Sequence, residues 1–115
     1  MSLESTLVEL IKVRCARVFP DEAPFGTETP YVIYQQVGGD ALAYVEGTMP
    51  DKRNAHMQIA VWDATRAGAI SLALQLEADL VATMKAEPLG AFVSAASDFP
   101  DRRGTHQDFS IWWDR

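Results

Sequence analysis

His56, His106 and Asp108 are the residues whose types could carry chemistry in this chain. If the segment around His106 is a strand, the H-x-D spacing puts His106 and Asp108 on one face. A carboxylate there can orient an imidazole for proton transfer or ligand binding. A metal site needs three or four ligands at fixed geometry, and no H-x-H, H-E-x-x-H or paired Cys/His spacing supplies them. Cys15 would need a neighbouring base and a lowered pKa to act as a nucleophile. It flanks the apolar stripe of a helix and reads instead as a buried, inert thiol. Asp63 stands just before a helix and reads as its N-cap. "GTETP" and "VGGD" follow neither a dinucleotide nor a P-loop pattern and are turns. Catalytic, cofactor-binding and metal-binding residues are therefore assigned to none of these positions.

The elements that must position these side chains can be read from periodicity. Residues 3 to 17 form a helix, with Leu3, Leu7, Leu10 and Ile11 at helical spacing and Ser2 as N-cap. Lys12, Arg14 and Arg17 gather toward its C-terminal end, where they complement the helix dipole. A loop with three prolines follows, then the strand "PYVIYQQVGG". Residues 38 to 54 read as a mobile loop or loose hairpin, long for a compact domain. "AHMQIAVW" is the next strand, and Asp63 opens a long helix that Pro88 stops. "AFVSAAS" and "THQDFSIWWD" complete the chain as two strands. The order α-β-(hairpin)-β-α-β-β predicts a single α+β domain over residues 1–115. Its sheet is mixed or antiparallel, with two helices packed on one side.

Composition narrows the function classes. At 115 residues with 48% hydrophobic and 23% charged residues, the chain has the makeup of one folded domain. A net charge of −6 argues against a nucleic-acid-binding surface. One cysteine allows no internal disulfide framework and suits a reducing compartment. The N-terminus lacks the basic region of a signal peptide. No uninterrupted apolar run approaches the roughly 20 residues that span a bilayer. A cytosolic product follows.

Two elements carry more apolar surface than a lone two-layer domain uses. In "YVIYQQV", Tyr31, Ile33, Gln35 and Val37 point one way and Val32, Tyr34 and Gln36 the other, so both faces are half apolar. On a wheel of roughly 100° per residue, the apolar residues of the long helix cover about 240°. Glu77 sits inside that arc, and Ser71, Gln75 and Asp79 form the polar strip. Either the other helix covers the excess or a neighbouring subunit does. Trp112 and Trp113 must point to opposite faces of one strand, so one anchors the core and the other needs a second layer or a partner. The candidate interface residues are Tyr31, Ile33, Gln35 and Trp112 on the sheet, with Ile70, Leu74 and Val81 on the helix. Charged loop tips offer further contacts at Asp51, Lys52, Arg53, Arg102 and Arg103; taken singly, such tips are solvated loops.

Three segments in order, "FPDEAPFGTETPYVIYQQVGG", "NAHMQIAVWDATRAGAISLALQLEADL" and "QDFSIWW", resemble the tail-completion family of long-tailed bacteriophages. The pattern P-x-x-A-P-x-G-x-x-x-P-Y-[VI]-[VI]-Y runs from Pro20 to Tyr34, followed by a strand ending in Trp62 and an Ala/Leu-rich helix. The resemblance covers nearly the whole chain and contains no catalytic motif. It implies a non-enzymatic virion part, often prophage-encoded, with an α+β fold and no cofactor. The part would assemble with itself as a ring, usually a hexamer, on the upper end of the tail tube. There it would meet the tail tube protein and a head-completion or connector protein, stop tube growth and offer the head its docking surface. DNA would pass through without specific binding and no membrane would be involved. The part would reside in the host cytoplasm during assembly and then in the virion tail. The resemblance does not separate a tail terminator from a neighbouring head-joining ring. A different class stays open on the residues alone: a small cytosolic α+β enzyme or ligand-binding domain, extending to a dimer, with His56, His106 and Asp108 in a pocket. A nucleic-acid binder ranks behind both on charge.

Overall fold

The computed structural model describes residues 2–41, 47 and 50–115. Helix α1, Leu3–Lys12, begins at Ser2, whose hydroxyl accepts the Ser5 N–H at 3.0 Å. It buries Leu3, Leu7 and Ile11. The helix expected to reach residue 17 ends at Lys12. Beyond it the chain turns so that Arg17 can donate to the carbonyls of Glu28, Thr29 and Pro30 at 3.0–3.1 Å. These bonds tether the loop that leads into the first long strand.

Among the described residues six strands form one mixed sheet: β1 (Val18–Pro20), β2 (Tyr31–Gly38), β3 (Lys52–Asp63), β4 (Glu87–Pro88), β5 (Val93–Ala95) and β6 (Arg103–Asp114). The order is β1-β2-β3-β6-β4, with β5 pairing the same outer edge of β6. β1 and β2 run parallel; the β2–β3, β3–β6, β4–β6 and β5–β6 pairs are antiparallel. The α+β class and the two helices on one side match the reading of the sequence. β1 and β4 are additions to it: each has three residues or fewer and contains a proline, which ordinarily argues against a strand and is tolerated at an edge. The strand expected over "AFVSAAS" shortens to Val93–Ala95.

Helix α2, Arg66–Met84, is capped by Thr65, whose hydroxyl accepts the Gly68 N–H at 3.0 Å. This corrects the expected cap: Asp63 ends β3 and accepts the Ala64 N–H instead. The helix closes on Lys85 in a left-handed conformation, with the Ala86 N–H bonded back to the Leu80 carbonyl, just ahead of Pro88. By length and composition α2 could cross a membrane. Its buried residues, Ala69, Leu72, Ala73, Leu76, Leu80 and Met84, instead belong to the same core as α1 and the sheet. That core joins Leu3, Leu7 and Ile11 to Val32 and Tyr34 of β2, to Ala55, Met57, Ile59 and Val61 of β3, and to Phe109 and Ile111 of β6. Alternation along the strands therefore sends one set of side chains toward both helices and the other set to a face without helices.

Of the predicted excursion at 38–54, Gly38 ends β2 and Lys52 already belongs to β3. Residues 42–46, 48 and 49, where most of the expected mobile loop or hairpin falls, lie outside the described residues.

Candidate assembly surfaces

The face of the sheet turned away from the helices is built in rows set by strand register. Tyr31, Trp62 and Gly104 form one row, and Ile33, Ala60, His106 and Val93 the next. Gln35, Gln58 and Asp108 follow, then His56 and Ser110, then Asn54 and Trp112. This answers the excess apolar surface of β2. Val32 and Tyr34 pack under the helices, while Ile33 is half-buried and Gln35 exposed on the open face. Burial raises the Tyr34 phenol above its usual pKa, with further pushes from Glu4 and Asp21. Trp112 is 47% exposed on the open face, whereas Trp113, on the opposite side of β6, packs against the core.

The histidine pairing differs from expectation. Asp108 shares a face with His106, but its Oδ2 lies 2.9 Å from Nε2 of His56 on the neighbouring strand. Antiparallel register decides this, because Asp108 sits opposite Gln58 and the diagonal reach falls on His56. The Asp108 Oδ1 has no hydrogen-bond partner among the described residues. No group of three or more His, Cys, Asp or Glu among those residues is placed to hold a metal ion. Cys15 is buried, with its Sγ 3.5 Å from the Arg17 and Pro30 carbonyl oxygens.

At the Tyr31 end of the open face, the loops at 21–30 and 96–102 flank a cleft of about 720 Å³. Its large apolar lining side chains are Phe25, Tyr31, Ile33, Trp62 and Phe99. Tyr31 and Trp62 stack with ring centroids 6.4 Å apart. Arg102, expected at an exposed loop tip, turns inward: its side chain is only 17% exposed and donates to the Tyr31 hydroxyl at 3.0 Å. Its guanidinium lies 4.8 Å from the Phe99 ring centroid and is paired with Asp101. That bond holds the Asp101 carboxyl below its ordinary pKa and raises Arg102 above its own. Arg102 thus closes the loop onto the sheet. Sequence reading missed the cleft, since it joins segments far apart in the chain; the only local signal was Phe25 between a proline and a glycine.

The second bare surface is the outer side of α2. Leu74 and Val81 are 47% and 41% exposed, and Ile70 is half-buried. Helix α1 does not cover this stripe. It meets α2 elsewhere, and in the turn just past its end Arg14 clasps Asp79 through two hydrogen bonds of 2.9 and 3.1 Å. Glu77, inside the apolar arc, accepts a bond from Gln107 of β6, which explains a carboxylate on that side of the helix. The remaining charged candidates lie apart from both surfaces or at the far end. Lys52 pairs with Asp114, Arg53 donates to Gln36 at 3.3 Å, and Asp51 accepts the Arg115 N–H through its backbone. Arg103 bonds the carbonyls of Pro100 and Arg102 within its own loop.

These features describe a small α+β subunit with two uncovered surfaces on opposite sides, an apolar stripe on α2 and a mixed polar and aromatic sheet face. The chain belongs to the family described as "Tail completion protein gp17", whose profile matches residues 4–112. It is a structural protein of the phage tail, not an enzyme. Among solved structures, it matches a chain of the "Virion of native gene transfer agent (GTA) particle" with a TM-score of 0.58 and 16% identity, covering 98% of this chain and 87% of that one. That likeness is one of fold. No curated protein matches the chain.

Proposed function

We propose that the protein assembles as a ring, a hexamer, on the upper end of the finished tail tube, where it ends tube growth and presents the surface to which the filled head docks. The observation that carries this reading is the pair of bare surfaces, the outer stripe of α2 and the open face of the sheet. A closed ring of identical subunits needs two different patches on each subunit, one for each neighbour. Here the patches lie on opposite sides of one sheet, so each copy can meet two others. The partners are further copies, the tail tube protein and a head-completion or connector protein. The net charge of −6 suits a collar through which DNA passes without being held. Assembly takes place in the host cytoplasm, from a prophage or phage genome, before the part enters the virion tail.

The test is electron microscopy of particles produced by a phage or prophage deleted for this gene. Tails of uncontrolled length, or finished heads and tails left unjoined, are the expected result. Normal, infectious virions would refute the completion role.

A further inference from the structure

We infer that the cleft between the loops at 21–30 and 96–102 is a docking site for a partner segment carrying arginine beside an apolar or aromatic side chain. The inference goes beyond ring assembly and does not depend on it.

Three features of the cleft define that occupant. Its floor and walls are aromatic, from Tyr31, Trp62, Phe25 and Phe99, and Phe25 is 97% exposed. An aromatic side chain left that bare offers a hydrophobic and π surface without an intramolecular partner for it. The second feature is the charge at the edge. Glu22 and Asp98 line the cleft, both exposed, and neither carboxylate has a cation partner among the described residues. Among the described residues the one cation in the lining, Arg102, is already committed to Asp101 and Tyr31. The net demand of the cleft is therefore for positive charge. The third feature is the cleft's own precedent, since the Arg102 guanidinium lies 4.8 Å from the Phe99 ring centroid and 5.8 Å from that of Tyr31. A planar guanidinium stacks on aromatic faces and can reach carboxylates from its edge, which a compact ammonium does less well. An incoming arginine can lie along the same aromatic walls with Glu22 and Asp98 at its edge, and its apolar neighbour fills the floor over Ile33.

The probe is a capped Arg-Phe-Arg peptide amide, with capped Glu-Phe-Glu as its charge-reversed control, titrated into the full chain. The readout is the indole N–H resonance of Trp62, assigned through Trp62→Phe. Arg-Phe-Arg should shift this resonance saturably at millimolar concentration and Glu-Phe-Glu should not. The double variant Glu22→Gln, Asp98→Asn changes two exposed side chains and should weaken binding about three- to tenfold. Equal shifts from both peptides, no shift from either, or unaltered affinity in the double variant would overturn the assignment. So would dilution-dependent broadening of Trp62 in the protein alone, which would give the cleft to a second copy. The peptide failures do not bear on tail length in the deletion phage, whereas self-association through Trp62 would favour a subunit contact at this end of the open face, so the two readings fail distinguishably.

Discussion

Gly104 lies directly across the β3–β6 ladder from Trp62, and the indole occupies the space that a side chain at Gly104 would take. A Cβ there would come within 2.6 Å of the Trp62 ring. Glycine is needed for close approach, since the backbone itself is ordinary. Gly104→Ala should therefore force the indole out of its stack with Tyr31 and destabilise the fold by about 1–3 kcal/mol. Urea unfolding gives the energy and near-ultraviolet circular dichroism the ring environment. Unchanged values in both would mean that Trp62 has room to move.

Arg14, in the turn that follows α1, and Asp79 of α2 form a polar link that gives the protein an acid-sensitive joint. The Arg14 hydrogen bonds hold the Asp79 carboxyl below its ordinary value of about 3.8, against a smaller upward push from burial. A depressed folded-state pKa means that the stabilisation is present above the unfolded pKa and is lost as pH falls through the folded one. Asp79→Asn should be less stable than the parent at neutral pH, and the gap should close as pH falls below about 4. Asp101 and Asp114 shift in the same direction, so the comparison must be parent against variant. A gap independent of pH would show that the link contributes through packing alone.

How far the sequence could be read depended on whether the deciding contact was local. Ser2 as a cap, a strand over 55–62 and a long helix stopped before Pro88 follow from patterns within a few residues, and the structure has them, with β3 reaching back to Lys52. The excess apolar surface of β2 and α2 was also legible, because periodicity counts faces without knowing their neighbours. The His56–Asp108 pair was not: His106 stands nearer to Asp108 in sequence, and only the register of β3 against β6 brings His56 within 2.9 Å. Arg102 misled for a related reason. Its "DRR" context reads as a solvated tip, while its real environment is made by Tyr31 and Phe99, the first 71 positions away. β1 and β4 were hidden by their prolines, which count against a strand unless the edge position is already known.

Leu74 and Leu76 are two residues apart on α2 and should behave as opposites. Leu76 is 2% exposed in the core, and Leu76→Ala should cost about 2–5 kcal/mol through the cavity it leaves. Leu74 is 47% exposed, and Leu74→Gln keeps helix propensity, so stability should change by less than about 1 kcal/mol. If the outer stripe is a subunit contact, Leu74→Gln should nonetheless fail to complete tails when supplied to the deletion phage. A folded Leu74→Gln protein that restores tail length and infectivity would remove this stripe from the interface.

Trp112 and Trp113 make the same comparison on the sheet. Trp113 packs against the core and Trp112 stands on the open face next to the Lys52–Asp114 pair. Truncating Trp113 removes apolar area already buried within the subunit, so Trp113→Ala should cost about 2 kcal/mol or more in the monomer. Trp112 buries much less within the subunit, and Trp112→Ala should leave the monomer within about 1 kcal/mol of the parent. Its effect should fall on association, because a half-exposed tryptophan at a contact commonly contributes at least about 2 kcal/mol to it. Urea unfolding of the two variants sets the monomer terms, and complementation of the deletion phage measures assembly. The expected pattern is a stable Trp112→Ala protein that does not complete tails. The reverse pattern, an unstable Trp112→Ala protein or a stable one that completes tails normally, would show that the open face at this end of the sheet is not where the neighbouring subunit sits.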